Sequence, residues 1–277
     1  MDKLAVMTFM FEPWCAASPA GHERLLAGLA ALGIHSVEPP HTPFVSNAGL
    51  TARYAKALRD NGMQAPVVDV MCDLVHSSPA EMRRGRDALR RGLELCAALG
   101  TGIAHVAGHS PKTGIPLPDA RKMVAHELSR EAEFAAKHGV TLAIEDFGIS
   151  PTLLCRAEDC LETLRHVGGK VRFVFDIGNF EFVGEHADEN VESLYGYTCH
   201  VHVKDWQSVA WRTADGSGEV RAVGCPLGSG VVPAAKALSL LKSKGYDGRI
   251  ALEITSLLDD PFATVERDMA VLRRWLA

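Results

Sequence analysis

Residues 140–179 read VTLAIEDFGISPTLLCRAEDCLETLRHVGGKVRFVFDIGN. The apolar run Val140–Ile144 ends on Glu145 and Asp146, and the apolar run Val171–Phe175 ends on Asp176, with Gly178 and Asn179 just beyond. Both runs, over 140–148 and 171–179, have the length and β-branched character of buried strands, and 157–167 between them carries helical spacing. A strand, a helix and a second strand in this order imply parallel strands joined by a right-handed crossover.

The same unit recurs in both directions. Toward the N-terminus the expected strands are GIAHVAG (102–108), PVVDVMCDL (66–74), HSVEP (35–39) and KLAVMTFM (3–10), each followed by a helical stretch. Those helices are expected over 118–138, 78–99, 49–61 and 22–32, stopped by His138-Gly139, Gly100, Asn61-Gly62 and Gly33. Toward the C-terminus a helix near 187–195 precedes HVHVKD (200–205), and RIALEIT (249–255) is the last strand. Between them, 206–232 reads as a long loop holding Trp206, Trp211, Gly216, Gly218 and the turn PLGSG, followed by a helix from Pro233. Pro261 opens the final helix. Eight strand–helix units without a linker predict one α/β domain over 1–277, a (β/α)₈ TIM barrel, since such barrels run to about 250 residues. A doubly wound open sheet is the alternative, but the first strand-to-helix turn has no GxGxxG.

Composition agrees with an ordinary globular protein that can bury a large core: 47% of the 277 residues are hydrophobic and 23% charged. The net charge of −5 argues against a nucleic-acid partner, which needs a basic surface. Arg83, Arg84, Arg86, Arg90 and Arg91 alternate with Glu81, Asp87 and Glu94 and read as a solvated helix face. No stretch reaches the ~18 apolar residues of a membrane span, and the N-terminus is a poor signal peptide. The seven cysteines include no CxxC pair and suggest a reducing, cytoplasmic setting.

In a barrel, chemistry gathers where strands end. Four consecutive strands end on ionisable groups: Glu145-Asp146, Asp176, His200 with His202 and Lys204, and Glu253. Three carboxylates converging on one mouth would repel one another without a cation. Three carboxylates and an imidazole suit Mn²⁺, Mg²⁺ or Co²⁺ better than thiolate-seeking ions.

The segments AIEDFG, FVFDIGNF, HVHVKDW, PLGSGVVP and ALEI, in this order and spacing, resemble the sugar phosphate isomerase/epimerase group of xylose-isomerase-like TIM barrels. That group includes D-tagatose 3-epimerase, hydroxypyruvate isomerase and inosose dehydratase, and is related to endonuclease IV. The resemblance is specific over about 140–255. It implies one divalent ion, Mn²⁺ first and Mg²⁺, Co²⁺ or Zn²⁺ as alternatives, held by Glu145, Asp176, His202 and Glu253. It also implies an isomerase or epimerase of a small ketose, ketose phosphate or keto-polyol working through a metal-bound enediolate. Glu145 and Glu253 would exchange protons with carbon from opposite faces.

Asn179 stands where D-tagatose 3-epimerase relatives have a histidine, and Ser208 where they have an arginine, so the substrate is expected to differ. Asn179, Lys204, His109 and Trp206 are the candidate substrate contacts; an ion pair would equally explain Lys204. His105 and His109 bracket one strand end, and Glu38 and His41 another, where Glu38 could simply support the barrel. Gly228 and Gly230 could cradle a phosphate, although a tight turn without ligand explains them better.

The nearest rival function is a dehydratase or lyase on a keto-inositol or keto-sugar at the same metal site. A three-zinc DNA-repair endonuclease is opposed by the absence of histidine from 206–225 and by the acidic charge. A non-catalytic module is opposed by the complete ligand set. The expected partners are a small carbohydrate and a second or further copy of the chain (dimer or tetramer), with neither nucleic acid nor membrane.

Overall fold

The computed structural model describes residues 3–47, 49–211, 220–257 and 260–277, with the side chains of 151, 210, 211, 220 and 221 outside that description. Ten strands follow in chain order: β1 (Leu4–Met7), β2 (Val37–Glu38), β3 (Val67–Met71), β4 (Ile103–Ala107), β5 (Thr141–Glu145), β6 (Arg172–Asp176), β7 (Thr198–Val203), β8 (Trp206–Trp211), β9 (Val220–Gly224) and β10 (Arg249–Leu252). Eight of them form one parallel sheet in the order β2-β1-β10-β7-β6-β5-β4-β3. Isolated parallel bridges Ser36↔Gln64 and Pro40↔Asp69 join its two edges, so the sheet closes on itself as expected. The strands are buried along nearly their whole length because helices cover the outer face and side chains fill the inner one.

The expected helices are present with ends shifted by a residue or so, as in Pro79–Leu99, Leu117–Lys137 and Ala157–Val167. The arginine-rich face is not simply solvated. Arg86 Nη1 reaches Glu127 Oε2 at 3.1 Å and Arg90 Nε reaches Glu131 Oε2 at 2.8 Å. These pairs clamp helix 79–99 to helix 117–137, and Arg121 Nε repeats the device to Glu162 Oε2 at 2.6 Å. Among the described residues no helix is long and apolar enough to cross a membrane.

One expectation is overturned. The segment 206–232 is no plain loop, because β8 and β9 pair antiparallel within it, with Val209 opposite Ala222. Aromatic and β-branched residues on either side of the glycine-containing middle supply the strand propensity. Gly216 and Gly218 lie outside the described residues.

The PLGSG turn is held by Asp205. Its Oδ2 accepts from the amides of Gly228 and Gly230, both at 2.9 Å, and its Oδ1 from those of Trp206 at 2.9 Å and Val232 at 3.2 Å. A Cβ on Gly230 would collide with this carboxylate. Asp205→Ala would remove the carboxylate from four amides, and a hydrogen bond to a charged group contributes about 1.5–3 kcal/mol. Scanning calorimetry is therefore expected to show Tm lowered by more than about 5 °C. An unchanged Tm would mean that the turn holds without Asp205.

Candidate active site and metal centre

At the end of β6 the Asp176 carboxylate turns back on its own chain. Oδ1 accepts from the amides of Gly178 at 2.9 Å and Asn179 at 3.2 Å, which fixes the group and sends Oδ2 into the barrel. The amide of Asp176 itself donates to Asp146 Oδ1 at 2.9 Å. Burial, then the charges of Asp176 and Glu145, push the Asp146 carboxyl well above its ordinary range.

Residues two apart on a strand share a face, so His200 and His202 of β7 both point inward. Both rings meet Glu38: His200 Nε2 lies 2.8 Å from Oε2 and His202 Nε2 lies 3.0 Å from Oε1. Burial works against charge on Glu38, but His202 and His200 outweigh it and hold the carboxyl well below its ordinary range. An ionised carboxylate only accepts, so each Nε2 carries the hydrogen and donates it. The two histidines then part company. His202 Nδ1, buried and without a hydrogen-bond partner, faces Glu145 Oε2 at 3.7 Å and Asp176 Oδ2 at 3.8 Å. Burial lowers the His202 ring, yet Glu38 and the other carboxylates more than reverse this and raise it well above the usual imidazole range. A divalent cation held at Nδ1 would take the place of that proton.

Glu145 ends β5 between the His105 ring and the Asn179 amide. His105 Nε2 lies 2.8 Å from Oε1, and Asn179 Nδ2 donates to Oε2 at 3.3 Å. Burial opposes ionisation of Glu145, while His105 and then His202 reverse this and lower its pKa. His105 in turn meets Asp69 Oδ1 through Nδ1 at 2.9 Å. Burial lowers the His105 ring, and Glu145 and Asp69 together carry it up to about 10. The Asp69 carboxyl is raised well above its range by burial and by Glu38.

Glu253 follows β10 and meets Lys204 Nζ at 2.8 Å; the same ammonium lies 2.8 Å from Asp176 Oδ2. The stem of Lys204 passes over Gly178, where a Cβ would block it. Burial pushes Glu253 up to about 7 although Lys204 pulls it down.

Glu145, Asp176 and His202 each offer a ligand atom within 4.8 Å of one another and could hold a metal ion. The unpartnered His202 Nδ1 and the O/N donor set fit a hard or borderline divalent cation. Glu253 stands outside this trio, engaged by Lys204. A deeper set, Glu38, Asp69, His105 and His202, is equally compact. A cavity of about 560 Å³ opens above, lined by Glu145, Asn179, Lys204, Trp206 and Glu253 among others. Trp206 Nε1 donates to the Gly178 carbonyl at 3.0 Å. His109 is not among the lining residues; its Nδ1 accepts from the Leu74 amide at 3.3 Å, and burial lowers its ring to about 4. Asp69 lines the cavity without having been named for the site, and His105, named there only as bracketing a strand end, lines it too. The signal available for them was a charged or polar residue enclosed by apolar neighbours in PVVDVM and GIAHVAG.

Residues 26–275 match the xylose isomerase-like TIM barrel family. The chain belongs to that family. It is 23% identical to L-ribulose-5-phosphate 3-epimerase UlaE of Escherichia coli over 220 residues, which is 76% of this chain and 72% of that protein. Among solved structures, L-ribulose 3-epimerase superposes with a TM-score of 0.81 at 20% identity, covering 99% of this chain and 94% of that one. The apo form of 3-keto-D-glucoside 4-epimerase YcjR from E. coli superposes with a TM-score of 0.77 at 16% identity, covering 99% and 100%. At these identities the structural matches establish the shared fold.

Elemental analysis is expected to find about one divalent ion per chain, lost in Asp176→Ala; two or three ions would place metal in the deeper set as well. A partner that orients a metal-binding histidine is typically worth about 10–100-fold in affinity. Glu38→Gln is therefore expected to weaken Mn²⁺ binding by that factor in calorimetric titration while the protein stays folded. Unaltered affinity would show that Glu38 does not set the His202 ring.

Proposed function

We propose that the chain is a metal-dependent isomerase or epimerase acting on a hydroxy-ketone of the carbohydrate class, with Glu145 and Glu253 as its proton-transfer pair. The observation that carries this is the buried, unpartnered His202 Nδ1 facing two carboxylates below a cavity that both glutamates line. Family membership and the likeness to UlaE support it. Glu145, Asp176 and His202 would hold the cation, with Glu253 as a fourth ligand, and Mn²⁺ suits this donor set. A divalent cation bound there supplies Lewis acidity toward a ketone oxygen and the hydroxyl beside it.

The remaining work falls to the chain's own side chains. Glu145, steadied by His105 and Asn179, would take the proton from the carbon next to the carbonyl, and the C–H electron pair passes toward the carbonyl oxygen. Glu253, three strands away with β6 and β7 between in the barrel order, would return a proton from the other face, inverting the carbon. The Lys204 ammonium sits between Asp176 and Glu253 and could donate to a substrate hydroxyl. Trp206, 5.7 Å from Lys204 Nζ at its ring centroid, walls this side of the cavity.

Replacing either glutamate by Gln keeps a ligand oxygen and removes the base, and a lost proton-transfer group costs about 10²–10⁴ in rate. Glu145→Gln and Glu253→Gln are therefore expected to stay folded, bind Mn²⁺ at saturation and lose turnover. One of them should still exchange substrate hydrogen with D₂O, read by NMR, without forming epimer. Recovery of near-normal turnover on adding excess Mn²⁺ would reduce both residues to ligands. Loss of a β-hydroxyl from the substrate in the same spectra would replace epimerisation by dehydration.

A further inference from the structure

The cavity above the candidate metal centre is lopsided. Its floor is lined by carboxyl groups, those of Asp69, Glu145 and Glu253, whereas its walls are largely apolar: Phe9, Met10, Met71, Phe147, Phe182 and Trp206. Phe182 and Trp206 pack edge to face, with centroids 5.5 Å apart and planes at 89°, and form a firm aromatic corner. The thioethers of Met10 and Met71 give the opposite side a surface that adapts to shape. Met71 is 37% exposed, an open apolar surface that a ligand would cover. At about 560 Å³ the space lies within the roughly 300–1,000 Å³ of pockets that enclose drug-sized ligands. A free pentulose or hexulose fills only a fraction of it.

Two further observations concern phosphate. Barrel phosphate sites are commonly built from the loops after the last two strands of the barrel. Here the amides of Gly228 and Gly230 that could have cradled one are taken by the Asp205 carboxylate at 2.9 Å each, so an anion already sits there. Among the described residues lining the cavity the basic side chains are Lys204, engaged by Asp176 and Glu253, and His105, set between Asp69 and Glu145.

We infer that the site takes an unphosphorylated hydroxy-ketone bearing an aryl or comparably apolar group, the chemistry of a keto-glycoside of an aromatic alcohol. The reacting carbons lie over the carboxylate floor and the apolar group against Phe147, Phe182, Trp206 and the methionines. The inference rests on the proposed reaction for the orientation of the ligand, while the ligand class follows from the walls and the occupied turn.

Calorimetric titration of Mn²⁺-loaded protein tests it, with phenyl and methyl 3-keto-β-D-glucopyranoside as one pair and L-ribulose and L-ribulose 5-phosphate as the other. The phenyl glycoside is expected to bind at least about tenfold more tightly than the methyl glycoside, since a buried aromatic ring contributes that much or more by the transfer scale. The phosphate ester should bind no better than the free sugar. Phe147→Ala should bring the phenyl-to-methyl ratio toward one. Equal affinities for the two glycosides, no binding of either, or a tenfold preference for the phosphate ester would overturn the inference. Hydrogen exchange with D₂O, read on the same compounds, tests the reaction separately. A phenyl preference without exchange of any ketone rejects the proposed chemistry and keeps the ligand class; exchange with equal affinities does the reverse.

Discussion

The carboxylates of Glu38, Asp69, Glu145, Asp176 and Glu253 share one end of the barrel, and their mutual repulsion is the constraint that the rest of the site answers. At ~4 Å two unit charges interact by about 4 kcal/mol even at an effective dielectric of ~20. Four kinds of answer are visible or provided for. Imidazoles lie against Glu38 and Glu145. The Lys204 ammonium lies between Asp176 and Glu253. Burial pushes the carboxyls of Asp69 and Asp146 well above their ordinary range. The remaining place, between His202 Nδ1, Glu145 and Asp176, is the one that suits a divalent cation. Each answer uses a different element, so the charge balance ties β2, β3, β4, β5, β6, β7 and the end of β10 to a common point.

How much of this can be read from the chain depends on where each acid falls relative to its strand. Glu145, Asp176 and Glu253 each close an apolar run, so the alternation of apolar strand and terminal acid exposes them. Glu38 is harder. HSVEP ends on prolines, which makes Glu38 look like a mouth residue, and its partners His200 and His202 lie 162 and 164 positions away. Only closure of the sheet brings them together. Asp69 and His105 sit inside strands expected to be apolar on both faces; for Asp69 that contradiction was the one signal, while His105 was also visible beside His109 at a strand end. Parity could not separate His200 from His202, since both face inward and both meet Glu38; the carboxylates of Glu145 and Asp176 beyond the His202 ring separate them instead. The β8–β9 hairpin escaped because its middle reads as turn, while its arms hold Trp206 and Val209 on one side and Ala222 and Val223 on the other.

The run from His202 to Trp206 shows how closely packing and chemistry are joined. His202 and Lys204 point into the barrel, while Asp205 turns to the PLGSG loop and Trp206 begins β8 and donates to Gly178. A slip of one residue would reverse these directions, putting Asp205 among the carboxylates and Lys204 among the amides of 228–232. Both placements would be electrostatically wrong. The glycines at 178 and 230 oppose the same slip sterically, since the first admits the Lys204 stem and the second admits the Asp205 carboxylate. The register of β7 is therefore specified at both ends, by Glu38 against His200 and His202 and by Asp205 against the turn. The charge that balances the active-site floor and the charge that closes the phosphate-like nest come from adjacent residues. In this chain the anion that the amides of Gly228 and Gly230 hold, the Asp205 carboxylate, is built into the polypeptide.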